Sequence, residues 1–233
     1  MPDVTLYDDL DGQVALVTGA PRGIGARVAT EPADLGATVY AGARDTDDVD
    51  DPALRPVELD VTDDDQIAAA VNRVEDEAGR LDVLVNNAGV FARAGPLHET
   101  PVADIDRTFA VNLRGPTVVT RAALPLLLDT DRPRVVTLSS GLGRYTDGSM
   151  GAGYGPYRVS KVGVGGLTAY LHAEYGPDGL LASAVSPGWV RTDMGGPRAN
   201  RSAAKGAETP VWLSRMRDGP GGKLWKDREV VSW

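Results

Sequence analysis

The sequence predicts a single doubly wound α/β domain, a mostly parallel sheet flanked by helices on both faces. Three observations carry that expectation. Short apolar runs rich in valine and leucine recur along the chain, stretches with apolar residues at helical spacing alternate with them, and small or polar residues follow the runs. A chain of 233 residues can bury a large core while remaining one domain, covering residues 1–233.

The elements follow in order. Residues up to about Asp11 read as a polar lead-in ordered by packing on the body. Val14–Thr18 is the first strand, and it flows into the turn Gly19-Ala20-Pro21-Arg22-Gly23-Ile24-Gly25 and then a helix. Glycines at such a turn let backbone approach a pyrophosphate, while the helix N-terminus supplies free N–H groups and a positive dipole end. The spacing is Gly-x-x-x-Gly-x-Gly rather than Gly-x-Gly-x-x-Gly. Pro32 lies about two turns into this helix, where an interior proline costs ~3 kcal/mol, so a kink or an early end is expected there.

Further strands are predicted at Thr38–Gly42, Val57–Leu59, Leu81–Val85, Val135–Leu138 and Leu181–Val185, with helices at Ile67–Ala78 and Val118–Leu128 between them. A short edge strand is expected near Lys223-Leu224-Trp225, after the glycines that begin at Gly219. Several strands run into chemically useful groups: Asn86-Asn87-Ala88-Gly89, Ser139-Ser140 and Ser186-Pro187-Gly188. Open α/β sheets bind ligands at those carboxyl ends.

One helical pair has the spacing of a reaction centre. Tyr157 and Lys161 are four residues apart, so they share one helix face. A nearby cation stabilises phenolate, which predicts a lowered phenol pKa and a proton donor and acceptor usable near neutral pH. Tyr154 is the rival phenol, but four residues beyond it stands Arg158 rather than lysine.

These residues together resemble the short-chain dehydrogenase/reductase family over nearly the whole chain. The resemblance rests on Thr18-Gly19-x-x-x-Gly23-x-Gly25, Asn86-Asn87-Ala88-Gly89, Asn112, Ser140, Tyr157-x-x-x-Lys161 and Pro187-Gly188, all in family order. The segment between Ser140 and Tyr157 and the run from Pro187 to Met194 look most like the carbonyl-reductase branch. The resemblance implies a Rossmann-type domain and makes Tyr157 the proton donor to a carbonyl, with Lys161 behind it. Ser140, rather than Ser139, would bind the substrate oxygen, and Asn112 would hold a water linking Lys161 to solvent.

The remaining site residues also come from the resemblance. Gly19, Gly23, Ile24 and Gly25 would take the pyrophosphate side of a dinucleotide, Asp60 and Val61 the adenine, and Asn87, Ala88 and Gly89 the adjoining ribose. Tyr157 and Lys161 would reach the nicotinamide ribose, and Pro187, Gly188, Val190 and Thr192 the nicotinamide end. Two positions have a plain alternative: Asp60 as a strand-end turn aspartate, and Thr192 as a cap for the segment after it.

Arg44 lies just past the second strand, where an NAD enzyme usually presents a carboxylate to the ribose hydroxyls. A guanidinium there suits a 2′-phosphate, and Arg22 occupies the place of a second basic residue in NADP(H)-preferring relatives. NADP(H) is therefore the expected cofactor, with NAD(H) possible because Asp45 is adjacent. Tyr145, Met150, Tyr154, Trp189 and Met194 suggest an apolar, partly aromatic substrate pocket.

Composition excludes other classes. No cysteine is present, which removes disulfides and thiolate catalysis, and His98 and His172 alone make no zinc cluster. Both histidines are left without a role. The net charge of −9 argues against nucleic-acid partners. No apolar stretch approaches the ~18 residues of a membrane span, and the acidic start lacks a signal peptide, so the cytoplasm is the default location. Aspartate is abundant and lysine confined to Lys161, Lys205, Lys223 and Lys226, a composition resembling halophilic proteins.

The sequence therefore predicts an NADP(H)-dependent carbonyl reductase or alcohol dehydrogenase acting on a small molecule, as a monomer or homo-oligomer. A sugar dehydrogenase, a 3-oxoacyl reductase or a non-catalytic dinucleotide-binding protein are the alternatives, because a fold does not choose its substrate.

Overall fold

The computed structural model describes residues 3–91, 95–146 and 148–233, so the start from which the absence of a signal peptide is read lies partly outside the described residues. Ten strands and six α-helices follow one another: β1 (Thr5–Leu6), β2 (Val14–Thr18), α1 (Gly23–Asp34), β3 (Thr38–Ala43), β4 (Arg55–Glu58), α2 (Asp64–Ala78), β5 (Val83–Asn86), α3 (Val102–Phe109), α4 (Gly115–Leu128), β6 (Arg134–Leu138), α5 (Gly155–Tyr175), β7 (Leu181–Val185), α6 (Ala203–Ser214), β8 (Met216–Asp218), β9 (Lys223–Lys226) and β10 (Glu229–Val231). A single π turn, Ala110–Arg114, joins α3 to α4.

The main sheet has the order β10-β9-β7-β6-β5-β2-β3-β4. Every pairing in it is parallel except the β9–β10 hairpin. The chain leaves β2 towards β3 and β4 on one side, then returns to place β5 on the other. That reversal opens a crevice between β2 and β5, the place where doubly wound sheets hold ligands.

Both faces of the sheet are covered, so β2, β6 and β7 are buried along their full length. Alternation splits β2 cleanly. Ala15 and Val17 pack with Val28 of α1 and Val211 of α6, whereas Val14 and Leu16 pack with Val71 of α2, Val119 of α4 and Leu171 of α5. Each such buried valine or leucine contributes about 1.5–3 kcal/mol, and a register slip of one residue would exchange the two faces.

Local signals set several helix ends. Asp63 caps α2 by accepting from the N–H groups of Asp65 and Gln66, and Gly79 ends it in the left-handed conformation at φ 66°. Pro32 does not end α1 at once: the helix runs to Asp34, so proline sits in its last turn and few helical bonds remain to be lost.

Two expectations need correction. The strand at Lys223–Lys226 is not at the sheet edge, because Glu229–Val231 folds back outside it, and Leu224 and Trp225 are fully buried. The lead-in is also more than packing: Thr5–Leu6 forms a small antiparallel sheet with Met216–Asp218.

Candidate active site

The glycine turn lies at the C-terminal end of β2 and opens α1. Gly19 and Gly23 adopt left-handed φ values of 65° and 62°, a conformation that other residues take only under strain. Gly25 is required for a different reason. A Cβ there would lie 2.0 Å from the Gly19 carbonyl oxygen and 2.5 Å from Asn87 Nδ2. Asn87 ties this turn to the next strand by donating from Nδ2 to the carbonyls of Thr18 (3.0 Å) and Gly19 (2.8 Å), while Thr18 Oγ1 accepts from the N–H groups of Asn87 and Ala88, both at 3.0 Å.

Arg22 is the N-cap of α1 and makes no side-chain cap, and the first turn holds no acidic residue. The N–H groups of that turn are thus left for an anion. This uncapped helix start beside a cradle that a Cβ would fill fits the pyrophosphate of a dinucleotide. Ile24 and Val190 both lie over Gly206 of α6, so the turn and the segment after β7 share one support.

The reacting pair sits at the start of α5. Tyr157 and Lys161 are both buried. Lys161 Nζ donates to the Leu138 carbonyl at 2.7 Å and lies 5.7 Å from the centroid of the Tyr157 ring. Burial pushes the ammonium down to about 8. The phenol departs from expectation: its pKa is raised rather than lowered. Burial dominates, and a hydrogen bond with Ser140 offsets it only in part. Burial outweighs what the i,i+4 spacing predicts, and the lysine's hydrogen bond goes to Leu138.

The two serines after β6 have different partners. Ser139 Oγ donates to the Lys161 carbonyl at 3.2 Å, which fixes α5 against the sheet. Ser140 faces Tyr157 and also caps a short turn by accepting from Leu142 N at 3.1 Å.

Asn112 lies in the π turn and is fully buried. Its Oδ1 accepts from Val90 N (2.8 Å), and its Nδ2 donates to Val90 O (2.8 Å) and Ser160 Oγ (3.3 Å). The side chain is therefore a brace between the loop after β5 and the first turn of α5. Wide π turns also free main-chain carbonyls from the regular helical ladder and recur at functional sites.

At the adenosine side, Asp60 Oδ1 accepts from Thr62 N (2.9 Å) and Thr62 Oγ1 (2.7 Å). Burial raises the Asp60 pKa, but these bonds and the Arg44 charge hold it below the usual carboxylate range. Asp60 thus serves as a turn residue whatever else it does. Val61 is buried against Gly115. Arg44 is exposed just beyond β3. Asp45, its neighbour, is occupied in capping its own turn, accepting from Asp47 N at 3.0 Å. Arg22 pairs with Asp193 at 3.2 Å, both largely exposed.

The segment after β7 is held by a residue that sequence reading missed. Arg201 forms a bidentate pair with Asp227 at 2.6 and 2.8 Å and donates to Pro187 O at 3.4 Å, with its Nε against Gly188. Thr192 accepts from Gly195 N at 3.2 Å, so it is a cap, while its methyl group lies over Gly23. Gly89 faces Met194 and Asn112. Trp189 and Met194 are exposed beside this cleft.

Phe91 was also missed, since nothing in its sequence neighbourhood marks it. Its ring packs edge-on against Tyr157 at 4.7 Å and tilted against Tyr154 at 4.9 Å. His98 is exposed and pairs weakly with Glu99, and His172 packs on Gly221 and Gly222.

With this arrangement in view, comparison decides the family. A model of the short chain dehydrogenases matches residues 13–203. The chain belongs to the short chain dehydrogenase family. Among relatives, a short chain dehydrogenase (pigC) of Monascus ruber is 35% identical over 97% of this chain and 84% of its own length. The 3-oxoacyl-[acyl-carrier-protein] reductase FabG of Thermotoga maritima is also 35% identical, over 95% of this chain and 88% of its own. A solved short chain dehydrogenase from Burkholderia cenocepacia, in complex with NADP, superposes with a TM-score of 0.80 at 31% identity, covering 94% of this chain and 97% of that one. The protein is thus an oxidoreductase of this family, and none of its helices described here is long and apolar enough to cross a membrane.

Proposed function

We propose that this short chain dehydrogenase is an NADP(H)-dependent carbonyl reductase, with the chain acting as one dinucleotide-binding and catalytic unit. The observation that carries the reading is the buried Tyr157 phenol, kept protonated by its surroundings, between the Ser140 hydroxyl and the Lys161 ammonium.

A bound nicotinamide would supply the hydride. The residues of the chain do the rest. Ser140 and Tyr157 together hold the carbonyl oxygen, on which negative charge grows during reduction. Tyr157 gives that oxygen its proton, and the adjacent Lys161 charge stabilises the phenolate left behind. Asn112, whose amide is engaged by Val90 and Ser160, would hold the relay water through its main chain in the π turn.

The cofactor would lie across the crevice, with Gly19, Gly23, Ile24 and Gly25 at the pyrophosphate and Asp60, Val61, Asn87, Ala88 and Gly89 along the adenosine. Pro187, Gly188, Val190 and Thr192 would meet the nicotinamide. The preference for NADP(H) rests on Arg44, because Asp45 is held by its own turn. Arg22 can join it, since an exposed pair such as Arg22–Asp193 is worth only ~0–1 kcal/mol. The acidic surface we read as adaptation to salt.

The test is turnover of aldehydes, ketones, sugars and a 3-oxoacyl thioester against NADPH and NADH. Ketone or aldehyde reduction with NADPH should give the highest kcat/KM. A higher value for a sugar or the acyl thioester would move the assignment elsewhere in the family, and no turnover with any pair would remove it.

A further inference from the structure

We propose that Arg158 is the positioning residue of the substrate pocket: it holds an aromatic wall of Tyr154 and Phe91 beside the reacting phenol, selecting carbonyl compounds that carry a flat apolar group. The inference rests on the reading of the chain as a carbonyl reductase.

The segment between Ser140 and Tyr157 is rich in glycine. It contains Gly141, Gly143, Gly148, Gly151, Gly153 and Gly155, and Gly148, Gly151 and Gly153 all have positive φ. Such backbone orders at a large entropic cost and brings few side chains to pack. Arg144 and Thr146 tie its first half to Ser232 and Trp233, and one guanidinium orders the half that leads into α5. Arg158 Nε donates to Gly153 O at 2.7 Å, Nη2 to Ala152 O at 3.0 Å, and Nη1 to both Leu142 O (3.2 Å) and Met150 O. Four carbonyls, three from Met150 to Gly153 and one from Leu142, thus converge on one planar fork.

The turn that Arg158 gathers leads directly into Tyr154. That residue sits at φ 58°, a left-handed conformation costly for a tyrosine, so its neighbours must hold it there. The consequence is a continuous stack: Tyr154 on Phe91 at 4.9 Å, and Phe91 on Tyr157 at 4.7 Å. Any substrate whose oxygen reaches Tyr157 therefore meets this wall. Trp189 and Met194, both partly exposed, add apolar surface on the cleft. The Arg158 guanidinium is saturated by carbonyls, so it does not offer a site for a carboxylate. A flat apolar substituent suits these surfaces; a polyol does not.

The test compares kcat/KM for acetophenone and for butanone with NADPH. The wild-type enzyme, Arg158→Ala, Arg158→Lys and Tyr154→Asn are measured; asparagine is chosen because it tolerates the left-handed conformation. The wild type should favour acetophenone. In Arg158→Ala and Tyr154→Asn the aryl preference should fall about tenfold, the scale of one aromatic contact, chiefly through KM for the aryl ketone. NADPH affinity, followed by its fluorescence on binding, should stay within about twofold of wild type by the same scale. Lysine should not restore the preference, because three donors on one nitrogen cannot reach four divergent carbonyls. Equal use of both ketones by the wild type would overturn the inference, as would equal losses for both in the variants. Should Arg158→Ala fail to fold, Tyr154→Asn decides alone. If the wild type reduces neither ketone with any nicotinamide cofactor, the carbonyl-reductase reading itself is what fails.

Discussion

The Lys161 ammonium lies 5.7 Å from the centroid of the Tyr157 ring, with its proton donated to the Leu138 carbonyl at 2.7 Å. The pair occupies one face of α5, as residues four apart must. Burial, with Ser140 opposing it, sets the resting phenol. The lysine acts when negative charge develops on that phenol.

This placement sets a pH dependence. Burial lowers Lys161 to about 8, so its cationic fraction falls as pH rises through that value. The Tyr157 phenol, raised by burial, stays protonated over the same range. Reductive kcat/KM should be level near neutrality and fall above pH ~8, approaching tenfold per pH unit. A rate that climbs steadily from pH 7 to 10 would contradict the role given to the ammonium.

Tyr157→Phe removes one oxygen from a buried site and leaves the cofactor cradle intact. NADPH binding should persist while turnover drops about 10²–10⁴-fold, the usual worth of acid–base assistance. Near-normal activity would exclude the mechanism. Lys161→Ala should instead weaken both binding and rate, measured by cofactor titration and by initial velocities.

Arg44 stands exposed beyond β3 with its charge close to Asp60. Charge-assisted hydrogen bonds contribute ~1.5–3 kcal/mol. Arg44→Ala should thus raise KM for NADPH by roughly ten- to a hundredfold and leave KM for NADH nearly unchanged. A wild-type enzyme with higher kcat/KM for NADH would refute the cofactor preference.

The net charge of −9 predicts a response to salt. Carboxylate repulsion should be screened as KCl rises from ~0.1 M to molar levels, raising the thermal midpoint. A midpoint that is flat or falls over this range would end the halophile reading without touching the enzymatic one.

The sequence by itself determined the alternation of strands and helices, the parallel sheet, and the placing of Tyr157 and Lys161 on one helix. Those features are local. Strand alternation, helical spacing and a glycine turn are written within a few residues of one another, so they survive without knowledge of the whole. Even the outer hairpin was half legible: Lys223–Lys226 reads as a strand, but only the pairing of Val230 with Trp225 puts it inside the sheet.

What tertiary structure alone decided concerns partners distant in sequence or carrying no side-chain signature. Arg158 looks like any solvated helix residue until four backbone carbonyls close on it. Phe91 becomes part of the site only when β5 and α5 converge, and Arg201 only when Asp227 folds back on it. The phenol's raised pKa was likewise beyond the spacing rule. An i,i+4 relation says which residues share a face, while burial and the direction of the lysine's hydrogen bond depend on everything packed around that face.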